Sequence, residues 1–210
     1  SKLGNCYENG HGVKKNMSTA YDFYKRSARL GCADGMFNIG RCYEEGKSVK
    51  KNISKALTNY RMAADKRNTK AMCRIGLLFE NGNGVQMNIW YALQYYQNAA
   101  ELGDDEGMFY TGSCYENGKG VSQNFERAVE YYLMAAEKGN AEAFLSLGSC
   151  YENGFGVNSD LTKAIEFYQK SANAGSTKAV LKLRKLQINM SINHSIHFVK
   201  NKFNHVFGIQ

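Results

Sequence analysis

The sequence predicts an all-α fold, an α/α superhelical solenoid of about five 36-residue helix–turn–helix repeats. Three observations point there. The stretch CYENGKGVSQN at Cys114 returns as CYENGHGVKKN at Cys6, CYEEGKSVKKN at Cys42, LFENGNGVQMN at Leu78 and CYENGFGVNSD at Cys150, always 36 residues apart. A fixed period in this range marks stacked units whose cores form between neighbours. The 210-residue chain has 21 glycines and no proline, so glycine makes the breaks while helix interiors keep their backbone donors. Around each break the apolar residues recur at helical spacing.

The first helix of a unit is read from AEAFLSLGSCYENG at Ala141, where Ala143, Leu147, Gly148 and Tyr151 share one face. Gly4, Gly40, Gly76 and Gly112 stand where Gly148 does. A mid-helix glycine costs roughly 1 kcal/mol against alanine, so its recurrence predicts a neighbouring helix crossing too closely for a Cβ. The turn follows, with Gly10 and Gly12, Gly82 and Gly84, Gly118 and Gly120, and Gly154 and Gly156; the second unit has Gly46 but Ser48. Val13, Val49, Val85, Val121 and Val157 then recur as a plug under the helix pair.

Asn16, Asn52, Asn88, Asn124 and Asp160 open the second helix. Asn and Asp share a side-chain oxygen able to accept from a free backbone N–H, so the position reads as an N-cap. Ala20, Tyr24 and Ala28, with their equivalents up to Ala164, Tyr168 and Ala172, form a small–Tyr–small stripe suited to close helix approach. Gly31, Gly103, Gly139 and Gly175 end this helix, and Asn68 is read as their counterpart in the second unit.

After Ala179 the pattern decays, since Arg184 and Gln187 stand where Gly and Tyr are expected. Residues 1–187 are therefore assigned to the repeat array and 188–210 to a basic C-terminal tail. Ile188, Ile192, Ile196, Val199, Phe203 and Val206 space that tail as a capping helix over the last repeat's open face. The chain opens at Ser1 inside a repeat, so the first unit is truncated at its N-terminus and a longer protein is expected.

Net charge is +8, of which Lys178, Lys182, Arg184, Lys185, Lys200 and Lys202 in the last 35 residues supply +6 with no acid. The array itself is close to balanced, which argues against nucleic acid as a partner. Cys6, Cys42, Cys114 and Cys150 exchange with Leu78 at one repeat position, so they read as buried apolar groups rather than a disulfide framework. Reduced thiols imply a reducing compartment. The expected location is cytoplasmic, subject to any secretory signal lying outside this sequence.

The combined pattern of Ala, Leu-Gly, Tyr, Gly-x-Gly-Val, Asn/Asp, Ala, Tyr, Ala-Ala and Gly, plain from Ala143 to Gly175, resembles Sel1-like repeats, relatives of the tetratricopeptide repeat. The resemblance covers roughly residues 1–183. It implies a superhelix acting as an adaptor or scaffold for protein complexes. Some secreted bacterial members carry a regular cysteine pair linked within each repeat, and this chain lacks that pair.

If first helices line the concave side, two positions three apart vary freely between units and share a helix face. They are Asn38 and Arg41, Arg74 and Leu77, Tyr110 and Ser113, and Ser146 and Ser149. Stacked units would present them as a strip for a peptide or partner helix, with Arg41, Arg74 and Tyr110 as anchors of the types that dominate interface energy. The invariant Glu8, Glu44, Glu80, Glu116 and Glu152 lie a full repeat apart, too far to share an ion or proton, and are expected to accept from turn N–H groups in their own units. Trp90 at a second-helix start reads as ordinary aromatic packing.

The Gly-x-Gly turns lack a third glycine or Gly-Lys-Ser/Thr and follow no strand, so they carry no nucleotide-binding signal. His194, His197 and His205 in the tail fall short of a catalytic zinc set, which needs a further ligand and a positioned acid or base; Glu166 is the last acidic residue. No catalytic constellation, cofactor or small-molecule substrate is predicted. The functional expectation is a non-catalytic scaffold binding a protein or peptide on the concave face. The alternative is a regulatory repeat module of a larger enzyme, such as a kinase or polysaccharide synthase activator. Membrane contact would fall to the basic tail.

Overall fold

The computed structural model describes residues 1–188. The proposed capping helix and the three tail histidines lie outside them, apart from Ile188. The described residues contain helices and turns and no strand. Five helix pairs follow one another: α1 (Lys2–Asn9) with α2 (Met17–Arg29), α3 (Ala33–Glu45) with α4 (Ile53–Ala64), α5 (Thr69–Asn81) with α6 (Ile89–Glu101), α7 (Asp105–Asn117) with α8 (Phe125–Glu137), and α9 (Ala141–Asn153) with α10 (Leu161–Asn173). An eleventh helical stretch covers residues 177–188.

The turn inside each pair is built by local chemistry. The first helix ends on Gly10, Gly46, Gly82, Gly118 or Gly154 at positive φ, with the glycine N–H donating back to the carbonyl four residues earlier. The chain then returns, and the N–H of Asn16, Asn52, Asn88, Asn124 or Asp160 donates to the carbonyl nine residues earlier at 2.8–3.0 Å. The same five residues cap the second helix, accepting from the N–H of Thr19, Lys55, Tyr91, Arg127 and Lys163. Ser48 holds the left-handed conformation (φ 61°) that glycine holds elsewhere.

One reading of this region changes. The left-handed residue after α4 is Arg67 (φ 61°), not Asn68. Asn68 is extended and caps α5 by accepting from Ala71 N–H. It belongs with Asp104 and Asn140, which cap α7 and α9. The sequence contained that signal one residue further on.

The chain divides into two units, Ser1–Ala135 and the residues from Ala136 onward. In the first, the core is a file of fully buried tyrosines, Tyr24, Tyr60, Tyr96 and Tyr132. Each lies against the glycine of its own first helix. A Cβ built on Gly4, Gly40, Gly76 or Gly112 falls 2.4–2.7 Å from the tyrosine ring. The close approach is therefore to the ring as much as to the helix backbone. The small residues at Ala63, Ala99 and Ala135 are fully buried, at least as deep as the predicted Ala64, Ala100 and Ala136. In the second unit Tyr168 takes the same place against Gly148, and Ala164 and Leu186 complete its cluster.

Candidate functional site

The invariant glutamates pair with the tyrosine file. The tyrosine hydroxyl donates to the carboxylate sixteen residues earlier: Tyr24 to Glu8, Tyr60 to Glu44, Tyr96 to Glu80, Tyr132 to Glu116 and Tyr168 to Glu152, at 2.5–2.8 Å. This replaces the expected turn N–H donors. The glutamate is half-buried one turn after the glycine, where a hydroxyl crossing from the second helix reaches it first. Burial and the hydrogen bond to the carboxylate push the Tyr24, Tyr60, Tyr96 and Tyr168 hydroxyls above their ordinary range.

Three of the carboxylates gain a cation from further along the chain. Arg41 pairs with Glu8, Lys119 donates to Glu80 at 2.6 Å, and Lys182 donates to Glu152 at 3.1 Å. Burial alone would raise the Glu8 pKa, but the Tyr24 hydroxyl and the Arg41 guanidinium outweigh it and hold the carboxyl below the usual range. Glu152 is lowered in the same way, with Tyr168 and Lys182 overcoming burial.

These pairings sort the predicted strip. Asn38 is 6 % exposed and donates to the Ser1 hydroxyl at 3.2 Å, so it is part of the packing rather than a presented side chain. Arg41 is committed to Glu8. Tyr110 is half-buried, stacked on Tyr96 with ring centroids 4.8 Å apart. Leu77 and Ser113 are half-buried on α5 and α7, and Asn117 donates to the Ser113 carbonyl. In the second unit Ser146 and Ser149 are half-buried, and Ser149 receives Asn153 in the same way. Arg74 differs from all of these: it is exposed, and its charge acts on Glu106 and Tyr110 of α7 without closing a contact ion pair. Lys70, one turn earlier on α5, is exposed as well. Within the first unit the strip thus reduces to Arg74, bordered by Leu77 and Tyr110, with Lys70, which the sequence reading did not include, exposed beside it.

The cysteines follow the apolar reading. Cys42, Cys73, Cys114 and Cys150 are buried, and none of the six cysteines is joined in a disulfide. Burial pushes Cys42 up to about 11 and Cys114 up to about 12, which keeps them protonated. Among the described residues no three His, Cys, Asp or Glu side chains converge as metal ligands. No helix there is long and apolar enough to cross a membrane.

The Sel1 repeat profile matches residues 1–32, 33–68, 69–104, 105–140 and 141–176. Among solved structures, a Sel1 repeat protein from Oxalobacter formigenes is 36% identical with a TM-score of 0.80, the match covering 85% of this chain and 73% of that one. The uropathogenic Escherichia coli protein c5321, described as a protective antigen displaying an SLR fold, is 30% identical with a TM-score of 0.76. That match covers 87% of this chain but only 39% of c5321. The Pseudomonas aeruginosa immunity protein Pa5087, at 22% identity and a TM-score of 0.59 over 85% of this chain and 69% of its own, shares the fold. No match to a curated protein was found. Five consecutive profile matches, each containing the Gly–Tyr contact and the capped turn described above, place this chain in the Sel1 repeat family.

Proposed function

We propose that this chain is a non-catalytic interaction scaffold that takes a protein or peptide along the face of its first helices, with Arg74 as the charged anchor. Sel1 repeat proteins generally mediate protein–protein interactions, and that supports the class. The observation that supports the site is the contrast on one face. Arg41 and Lys119 close contact ion pairs with Glu8 and Glu80, whereas the Arg74 guanidinium is exposed and acts on Glu106 without closing one. An unpaired arginine beside an aromatic ring is the kind of group that dominates interface energy. Cysteines that exchange with Leu78 at one buried repeat position fit the reducing, cytoplasmic setting proposed for such a scaffold.

The test is capture from source-cell lysate with the wild-type chain and a Lys70→Gln/Arg74→Gln variant side by side. Both side chains are exposed and the change adds no carboxylate beside Glu106, so the thermal midpoint should change little. Loss of the specifically captured proteins from the variant is the expected result. Recovery of the same proteins by both baits would overturn the assignment of the site. Arg41 and Tyr110 are left intact because both pack internally, and their loss would mix stability with binding.

A further inference from the structure

Within the first unit, the loops that join successive repeats lie in a row and carry opposite charge. The loop after α2 touches the loop after α4, since a Cβ on Gly31 would lie 3.8 Å from Lys66 Nζ. Beside that contact the Asn68 amide donates to Asp34 at 3.0 Å. The loop after α4 leads in turn to the one after α6, where the Thr69 hydroxyl donates to Asp104 at 2.5 Å. Residues 61–70 hold Arg61, Lys66, Arg67 and Lys70 against Asp65 alone. Residues 97–106 hold Glu101, Asp104, Asp105 and Glu106 and no cation. Arg26 and Arg29 extend the positive side in the last turn of α2.

Arg67 marks this edge out. It holds the left-handed conformation (φ 61°) that Gly31 and Gly103 hold after α2 and α6. A side chain is strained there, and strain kept where glycine would relieve it is the kind of cost that function sustains. The loop is fixed around it. The N–H groups of Lys66, Arg67 and Asn68 donate to the Ala63 and Ala64 carbonyls at 2.7–3.1 Å, and Asn68 caps α5. Arg29, Arg61, Lys66 and Arg67 are exposed and close no contact ion pair with a described residue. Lys70 and Arg74, four residues apart, share a face of α5. A run of cations therefore leads from the loop edge onto the face of the first helices.

We infer that the segment anchored by Arg74 is an acidic peptide, and that it leaves the face of the first helices across this edge, past Lys70 and Arg67 toward Arg29. The inference rests on the strip proposed above and names the class of its partner. Complementary charge attracts any polyanion, and the acidic loop next door selects among them. A flat anionic membrane or a nucleic-acid duplex would meet Glu101, Asp104 and Asp105 together with the cations, and juxtaposed like charges oppose that contact. A single extended chain is narrow enough to follow the cations alone. The same acidic loop turns such a chain away from the third repeat, which fixes its path over the first two.

The test titrates a fluorescein-labelled decapeptide of alternating glutamate and serine with the full chain and with an Arg29→Gln/Lys66→Gln/Arg67→Gly edge variant. That variant keeps Lys70, Arg74 and the basic tail, and it gives position 67 the residue that the other repeats carry, so its thermal midpoint should not fall. Wild type should bind the peptide, less tightly as salt is raised, and the edge variant should bind it about tenfold more weakly. An edge variant that binds the peptide as tightly as wild type overturns the inference. So does an edge whose loss is felt only by phosphatidylserine vesicles or only by an oligonucleotide. Lysate capture separates this inference from the strip itself. Proteins lost by the Lys70→Gln/Arg74→Gln variant but kept in full by the edge variant would overturn the acidic path and leave the strip standing.

Discussion

The second and third repeats, residues 33–68 and 69–104, share an interior and part company at the surface. Both close Gly against Tyr, at Gly40–Tyr60 and Gly76–Tyr96, and both hang a glutamate on the tyrosine hydroxyl. Both start the second helix on an asparagine that caps it. Yet the second repeat shows Lys51, Ser54 and Lys55 where the third shows Met87, Trp90 and Tyr91, and it places Ser48 and Arg67 at left-handed positions that the third gives to Gly84 and Gly103. Within one chain, then, the repeat itself separates what packing demands from what is free to serve a partner. Positions that agree touch the tyrosine file or close a turn. Of the positions that differ, those of Met87, Trp90 and Tyr91 face water.

That comparison breaks first at the shared lock. Replacing Gly76 by Ala adds a methyl 2.4 Å from the buried Tyr96 ring, and Gly40→Ala meets Tyr60 at 2.6 Å. Helix propensity alone would favour alanine by about 1 kcal/mol, so the sign of the change is informative. Overpacking costs typically 1–3 kcal/mol, and the ring is held by its hydrogen bond to the glutamate. A net loss of about 2 kcal/mol is expected in urea denaturation for either variant. A gain in stability would show that the ring has slack.

The left-handed positions sharpen the difference. A non-glycine residue there is disfavoured by roughly 1–2 kcal/mol, partly offset by the flexibility glycine adds to the unfolded chain. Arg67→Gly should therefore stabilise the protein by about 1 kcal/mol, and Gly103→Arg should destabilise it by about as much. Equal effects of the same sign from the two changes would remove the backbone account of these positions.

The smallest effect is electrostatic and belongs to the repeats whose glutamate also has a cation. Glu8 and Glu152 have carboxyls held below the usual range in the folded chain. Their contribution is present above the pKa of the unfolded chain and is lost as pH falls through the folded value. The urea midpoint should thus fall on acidification through the carboxylate range, and Glu8→Gln should show a smaller fall than wild type. An unchanged pH profile in that variant would remove the Glu8–Arg41 pair from the stability of the first repeat.

Much of the architecture was legible because it is enforced locally. A cap reaches three residues along the chain, a left-handed turn needs glycine at a given place, and a helical face needs apolar groups three and four apart. Each leaves its mark at a fixed offset, which is why the five turns and second-helix caps could be placed residue by residue. The caps of the first helices were written equally plainly in Asn68, Asp104 and Asn140, but the one-residue shift to Arg67 hid them.

The binding strip was less legible. Free variation between repeats marks positions that packing does not hold constant, and such positions include ones that pack differently in each unit. Asn38 varies yet is buried, Arg41 varies yet closes on Glu8, and Arg74 varies and stands exposed without a contact ion pair.

By itself, then, the sequence determined the period, the helix pair, the turn and the second-helix cap, since each rests on residue types at fixed spacing. The tertiary structure decided which groups meet across that spacing: tyrosine rather than turn N–H on each glutamate, and a cation 30 to 39 residues onward on three of them. It also decided that Trp90 stands in solvent and not in the core. These depend on how one helix lies over another, and the distance between two side chains on stacked helices is set by packing rather than by their separation along the chain.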